Sequence, residues 1–522
     1  MKYLNSLSSN KATGLDGIPS RFIKDSSSII AGPLCHIINL SIIQGVVPDD
    51  LKSARVVPLY KKKTDVSNYR PVSISSIVSK VLERVMYDQL EQYLSENSIL
   101  YELQSGFRHG FSTDSCLIHL TDFIRFQMDK GNLVGMILLD LQKAFDTVNH
   151  SILLMKLKAI GLSESPVRWF SSYLSDRRQL VDLSGTYSSP GTISCGVPQG
   201  SILGPLLFLI YVNDMSAVVK NKLLLYADDS AILVPAKSKQ EIETRLSHDL
   251  DILSQWLICN KLSLHLGKTE SILFGSKQRL KSQSQLDINC NGQSIESREE
   301  VKYLGATIDN NLSFETMARS VIKKANGKLK ILYRKIEFLT RFTRKRLVSS
   351  LIQCHFDYAS AAWYNGLTQE LKYKLQVTQN KLIRFVLGLD SRSHIGREQF
   401  TELGWLPVES RIYQIILTHV FKIHLSKAPL YMGEYFNPMR DVHQYSTRFR
   451  VKACHVGDGR DCSMVKLEDS GRYALPVVKG FGRKTFTFND CCLWNSLPQN
   501  IRDARTISCF KSKLKKHLIN SI

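Results

Sequence analysis

The stretch LLLYADDSAILV, residues 223–234, sets Asp228 and Asp229 between two apolar runs of strand-forming composition. Two such runs around a short polar break predict a β-hairpin with the aspartates at its tip. Aspartate is a common turn residue, and a solvated turn would account for the pair taken alone. The other reading is a cation site, because hard divalent ions are held by carboxylate oxygens. A third carboxylate bears on the choice. In VGMILLDLQKAFDTVNH (134–150) a run that reads as a buried strand ends on Asp140, and a charge in that place needs a partner or a ligand. Asp140 and the hairpin pair, side by side in one sheet, would repel unless cations neutralised them. Two magnesium ions would do so and would support an in-line displacement at phosphorus: one lowers the pKa of an attacking hydroxyl, the other steadies a leaving pyrophosphate. Spacing alone does not bring the three carboxylates together.

The surrounding chain supplies elements able to hold such a site. From 131 to about 312, strand-like apolar runs alternate with helical patterns, as in a sheet backed by helices. Residues 75–96 place Ile77, Val81, Leu82, Val85, Leu90 and Leu94 at helical spacing. Residues 247–262 do the same with Leu250, Leu253, Trp256 and Leu257. Past residue 315 the character changes. Residues 315–350 hold eleven Lys/Arg against only Glu315 and Glu337, with Leu329, Leu332, Ile336 and Leu339 as an apolar stripe. Such density predicts basic helices laid along a phosphate backbone, with Lys323, Lys324, Lys328, Arg334, Arg344 and Arg346 as candidate contacts; the alternative is the solvated face of an ordinary helix pair. Residues 391–522 are looser and end in a basic helix over 508–519, which reads as a separate, smaller module of uncertain role, with nucleic-acid binding as its expected property.

The bulk numbers agree with a polyanionic partner. Over 522 residues, 69 Lys+Arg stand against 47 Asp+Glu, a net charge of +22, and such an excess points to nucleic acid or an acidic membrane. The membrane alternative is disfavoured: the longest apolar run, LLFLIYV, is far short of the roughly 20 residues a spanning helix needs. The N-terminus lacks the layout of a signal peptide. Eleven cysteines without regular spacing predict reduced thiols in an intracellular protein. Cys454, His455, Cys462, Cys491, Cys492 and Cys509 crowd the C-terminal third, yet none falls into a zinc-ligand spacing.

Several blocks together carry a family resemblance. YADD (226–229), LLDLQKAFDTVNH (138–150) and CGVPQGSILGPLLFLIYVNDM (195–215) resemble the catalytic core of a reverse transcriptase, closest to those of LINE-type, non-LTR retrotransposons of the jockey kind. KATGLDGIPSRFIK (11–24), LKSARVVPLYKKKTDVSNYRPVSISS (51–76), QSGFRHGFSTDSCL (104–117), NKLSLHLGKTESILF (260–274) and VKYLGATIDNNLSF (301–314) follow in the family's order. The resemblance implies an α+β right-hand polymerase: fingers and an antiparallel-sheet palm over 1–314, a helical basic thumb over 315–390, and a basic C-terminal module over 391–522.

It also implies roles. Asp140 and Asp228 would be the principal ligands of two magnesium ions, with Asp229 beside them and manganese as a substitute metal. Phe145 matches the aromatic under the incoming sugar, where its ring would clash with a 2′-hydroxyl; a core phenylalanine is the alternative. Pro198, Gln199 and Gly200 would turn the chain into a helix lining the nucleotide pocket. Arg70 would grip the triphosphate with one of Lys61, Lys62 or Lys63, since its planar fork meets phosphate oxygens bidentately. Lys268 matches the lysine proposed as general acid for pyrophosphate departure, and 303–309 resembles the hairpin that grips the primer end. The implied partners are an RNA template, a DNA primer or target, and dNTPs. Relatives of this type usually carry an endonuclease ahead of the polymerase; this chain begins almost at the polymerase, which leaves three readings: a fragment, a truncated copy, or a product that works with a nuclease from elsewhere. Nuclear action and a cytoplasmic ribonucleoprotein follow from the family's priming on chromosomal DNA. The rival readings are an intron-encoded relative and an inactive RNA-binding scaffold.

Overall fold

The structure, a computed structural model, describes residues 1–60, 69–282, 285–434, 436–437 and 472–521. Lys61, Lys62, Lys63, Cys454, His455 and Cys462 lie outside the described residues. In chain order the strands that matter here are β1 (Ser53–Tyr60), β2 (Tyr69–Ser75), β3 (Leu133–Asp140), β4 (Arg178–Leu183), β5 (Thr186–Tyr187), β6 (Gly191–Thr192), β7 (Lys222–Tyr226), β8 (Asp229–Ala236) and β9 (Glu270–Phe274).

β3 is the axis of the palm. All its residues but Asp140 are buried, as expected of a continuous apolar run sandwiched on both faces. It pairs antiparallel with β8 on one side and β9 on the other; β7 closes one edge and the short strand Glu296–Ser297, parallel to β9, closes the other. Alternation sorts its side chains. Val134, Met136 and Leu138 face the core shared with the helix Thr113–Asp129, while Leu133, Ile137 and Leu139 face the core built with the helices Leu203–Val212 and Lys239–Cys259. Leu203–Val212 is apolar all round and buried at every residue but Pro205, the composition of a helix lying inside a protein. Gly135 sets how closely the second layer sits: a Cβ there would lie 2.2 Å from Ile242 Cγ2.

The fingers form a second sheet in which β1 pairs antiparallel with β2 and parallel with β4, while β5 and β6 pair with β4. The helix read from the 75–96 pattern spans Ile77–Glu96, and the Ser76 hydroxyl caps it by accepting the Ser79 N–H at 3.0 Å; such a cap contributes about 1 kcal/mol.

The basic segment forms Glu315–Tyr333 and Arg341–Val348, which pack with Gln369–Leu387. The chain beyond 391 departs from the expected separate module. Its described helices Val408–His424, Phe486–Ser496 and Ile507–Asn520 share one core with the thumb and with Thr113–Asp129. Phe510 stacks on Phe421 at 4.2 Å. Two aspartates on Thr113–Asp129 hold the returning chain. Asp122 accepts the N–H groups of Phe486 (2.7 Å) and Thr487 (2.9 Å), and Asp129 accepts those of Lys479, Phe481 and Gly482. No local pattern signals this, because both aspartates sit on an otherwise ordinary amphipathic helix.

One membrane expectation needs correction. The helix Ser27–Gln44 carries no Asp, Glu, Lys or Arg, is mostly exposed, and is long and apolar enough to cross a membrane by length and composition. Its apolar residues are interrupted by Ser, Gly, Pro, His and Asn, which is why no continuous run marked it.

Candidate active site

The hairpin sits where the apolar runs place it. Tyr226 pairs with Asp229, so Ala227 and Asp228 form a two-residue turn between β7 and β8. Ala227 is held in the left-handed region at φ +59°, a conformation that non-glycine residues adopt only when their surroundings fix it. The surroundings are the segment 104–107. The Gln104 side-chain oxygen accepts the N–H of Ala227 (3.0 Å) and of Gly106 (2.8 Å), and the Ser105 N–H donates to the Leu225 carbonyl (2.7 Å). Gly106 is required for this approach, because a Cβ on it would lie 2.4 Å from the Ala227 nitrogen.

Register brings the third carboxylate to the same end of the sheet. Asp140, the last residue of β3, lies directly opposite Asp229, the first residue of β8, and Asp228 is the next residue into the turn. All three are at least partly exposed. Lys268 reaches the same point: its Nζ lies 3.2 Å from Asp140 Oδ2. The lysine stands on a short helical turn, Leu266–Lys268, pinned to the strand end by the His265 N–H donating to the Asp140 carbonyl (2.8 Å).

Beside the carboxylates lies a second constellation. Phe145 is half-buried, stacked on Phe208 at 4.3 Å and met edge-on by Phe107 at 6.0 Å. Its carbonyl accepts the Val197 N–H and the Val148 carbonyl accepts the Gly196 N–H, both at 2.8 Å, so 145–148 and 195–200 lie back to back. The Gln199 amide then joins three elements. Its Nε2 donates to Asp146 (2.8 Å), its Oε1 accepts from Arg70 Nε (3.0 Å), and its backbone carbonyl accepts the Ser73 N–H of β2 (2.7 Å). Gly200, at φ +113°, lets β2 approach, since a Cβ there would lie 2.6 Å from the Ser73 oxygen. Pro198 accepts the Ser201 hydroxyl through its carbonyl (2.9 Å) and so completes the turn. The helix that follows has buried Glu83 at its start, where one carboxylate oxygen accepts the Ile202 N–H (2.7 Å) and the other the Tyr173 hydroxyl (2.9 Å). Burial pushes the Glu83 pKa up against these hydrogen bonds and nearby Arg177.

The sequence-predicted residues thus gather in one place: Asp140, Asp228, Asp229 and Lys268 at the strand ends, and Arg70, Phe145, Pro198, Gln199 and Gly200 along the adjoining turn. Sequence reasoning passed over Gln104 and Glu83, and took capping and packing as sufficient for Asp146. Gln104 and Asp146 stand inside family-like motifs, but nothing local tells their bonding; Glu83 is one more charge in a helical pattern. On the thumb, Lys323, Lys324, Arg334 and Arg346 are exposed. Lys328 and Arg344 are half-buried, and some of their donors serve the thumb itself. Lys328 Nζ donates to the Leu351 carbonyl and meets the His355 ring nitrogen, both at 2.8 Å, while Arg344 donates to the carbonyls of Leu339 (2.9 Å) and Phe385 (3.4 Å).

The donor set suits a hard divalent ion, since it is entirely carboxylate oxygen. It is not a closed cage: among the described residues no group of three or more His, Cys, Asp or Glu side chains is placed to hold a metal by itself. An open pair of carboxylates is the arrangement magnesium takes when substrate phosphates and water complete its shell.

A palm with carboxylates at the ends of β3 and β8, flanked by a second sheet and basic helices, has the layout of the right-hand polymerase fold. The comparisons point the same way: residues 60–308 match reverse transcriptase (RNA-dependent DNA polymerase). The chain is 28% identical to the probable RNA-directed DNA polymerase from transposon BS of Drosophila melanogaster, over 73% of this chain and 43% of that protein. It is 30% identical to the RNA-directed DNA polymerase from mobile element jockey of the same species, over 58% of this chain and 34% of that one. The chain therefore spans less than half the length of these relatives. Among solved structures it is similar to the apo telomerase of Candida tropicalis, 13% identical with a TM-score of 0.38 over 72% of this chain and 66% of that one.

Proposed function

We propose that this chain is an RNA-directed DNA polymerase that extends a primer 3′-hydroxyl with dNTPs on an RNA template, as in retrotransposition. The observation that carries the reading is the register that sets Asp140 opposite Asp229 with Asp228 in the adjoining turn, inside the matched domain. Asp140 and Asp228 are the chief ligands of two magnesium ions, with Asp229 beside them and manganese able to substitute. When bound, the ions activate the attacking hydroxyl and neutralise the charge that develops on the leaving group.

The chain's own groups do the rest. Arg70, aimed by Gln199, pairs with the triphosphate, helped by one of Lys61, Lys62 or Lys63. Phe145, fixed between Phe208 and Phe107, lies under the sugar and excludes a 2′-hydroxyl. Lys268 gives a proton to the departing pyrophosphate. Lys323, Lys324, Arg334 and Arg346 run along the template–primer backbone. The partners are an RNA template, a DNA primer or target, and an endonuclease activity that exposes the priming end. The protein acts inside the cell, in the nucleus and in a cytoplasmic ribonucleoprotein.

Primer extension by the full chain tests this, with an RNA template, dNTPs, and either magnesium, manganese or a chelator. Extension with either metal and none with the chelator is the expected result. Failure to extend under any metal condition, with the RNA still bound, would favour a binding scaffold.

A further inference from the structure

The segment 104–107 touches both halves of the site: Gln104 fixes the turn that carries Asp228, and the Phe107 ring, from a backbone at φ +53°, edges onto Phe145. What fixes the segment itself comes from far along the chain. Tyr431, in the short helix Leu430–Gly433, is buried beneath it and makes two hydrogen bonds, one with Ser105 Oγ at 2.9 Å and one with Ser115 Oγ at 3.1 Å. Their direction is determined. The Ser115 hydroxyl proton goes to the Ser112 carbonyl (2.9 Å), so Ser115 must accept from Tyr431. A phenol has one proton, so Tyr431 in turn accepts from Ser105. The result is a one-way relay, Ser105 to Tyr431 to Ser115 to Ser112, ending on the capping residue of the helix Thr113–Asp129.

We infer that Tyr431 is a positioning residue for the polymerase reaction: it locks the 104–107 segment that aims the Asp228 turn and supports the Phe145 ring. The inference rests on the function proposed above. Three observations support it. The relay is buried at every member but Ser112, where lost hydrogen bonds are not replaced by water. His119 packs on the Tyr431 ring at 4.7 Å, and burial pushes its pKa down to about 3, so the ring stays neutral and adds no charge to the relay. Finally, Gln104 leaves its Nε2 buried with no hydrogen-bond partner among the described residues. Such an orphan is tolerated where the other end of the amide has a task, here the Ala227 N–H. The working polymerase therefore extends past the matched domain, through the thumb, to Tyr431.

The test is Tyr431→Phe in the full chain, beside Ser105→Ala and the double variant, measured by single-nucleotide addition on an RNA template. Tyr431→Phe should lower kcat about tenfold while KM for template–primer changes less than about twofold. The preference for dNTP over rNTP should fall as Phe107 loosens against Phe145. The double variant should be no worse than the worse single one, because both break one relay. Urea unfolding of each variant measures the folded fraction, and rates are taken per folded molecule. Unchanged kcat and sugar preference per folded molecule, or additive losses in the double variant, would overturn the inference. If wild type itself adds no nucleotide, the function proposed above fails instead.

Discussion

At the scale of single residues, the site works by holding side chains whose own chemistry is ordinary. Lys268 shares its ammonium with Asp140 across 3.2 Å, and the proposed function gives it the proton for the departing pyrophosphate. Lys268→Met should cut kcat by about 10²-fold, the usual weight of one positioned acid, with KM for dNTP little changed; stopped-flow single turnover reads the two apart. Gly200 poses a different demand. Its φ of +113° and the Ser73 oxygen 2.6 Å from a would-be Cβ leave alanine no space, so Gly200→Ala should push β2 off the turn and break the Arg70–Gln199 bond. Loss of dNTP affinity with retained RNA binding would show it. The aspartates and this glycine were legible in the sequence because motif order fixed their neighbours. Gln104 and Asp146 were not, because their bonds are made to residues 123 and 53 positions away, and a glutamine or aspartate in a loop has many cheaper explanations.

At the scale of elements, the palm was legible and the C-terminal return was not. An apolar run ending on a charge, and another split by a pair of charges, are strong local signals, and they became β3 and the β7–β8 hairpin. The basic helices also formed where charge and periodicity placed them. The docking of Phe486–Ser496 onto Thr113–Asp129 depends instead on single buried carboxylates. Asp122 is satisfied there by N–H groups, whereas Asp490 is fully buried and neither of its oxygens has a hydrogen-bond partner among the described residues. Burial, with Asp122 nearby, raises the Asp490 pKa well above that of an ordinary carboxyl. Because folding raises it, the stabilisation linked to its proton is complete below the unfolded value near 4 and is lost as pH climbs toward the folded value. Asp490→Asn should therefore stabilise the protein at neutral pH and make little difference at pH 4. Urea midpoints of both proteins across that range measure it, and a variant less stable at pH 7 would contradict the burial argument.

At the scale of the whole molecule, a net charge of +22 favours a polyanionic partner, and the thumb concentrates the excess. Of the six thumb cations singled out in the sequence, Lys323, Lys324, Arg334 and Arg346 are exposed, while Lys328 and Arg344 are half-buried and bonded within the fold. Changing each exposed cation to glutamine should flatten the plot of log affinity against log salt by roughly 0.7–0.9 for every phosphate left without its cation, while Lys328→Gln and Arg344→Gln should cost stability and leave that slope alone. At the centre of the molecule, the function proposed above assigns RNA-templated DNA synthesis to the carboxylates at the ends of β3 and β8. The measurement that tests this most directly is addition of one nucleotide to a primer on an RNA template, by wild type and by Asp228→Ala, with dNTP or rNTP. Addition by wild type with dNTP alone, abolished in Asp228→Ala with RNA affinity intact, is the expected result. Equal addition by both proteins would place the chemistry elsewhere and contradict this assignment.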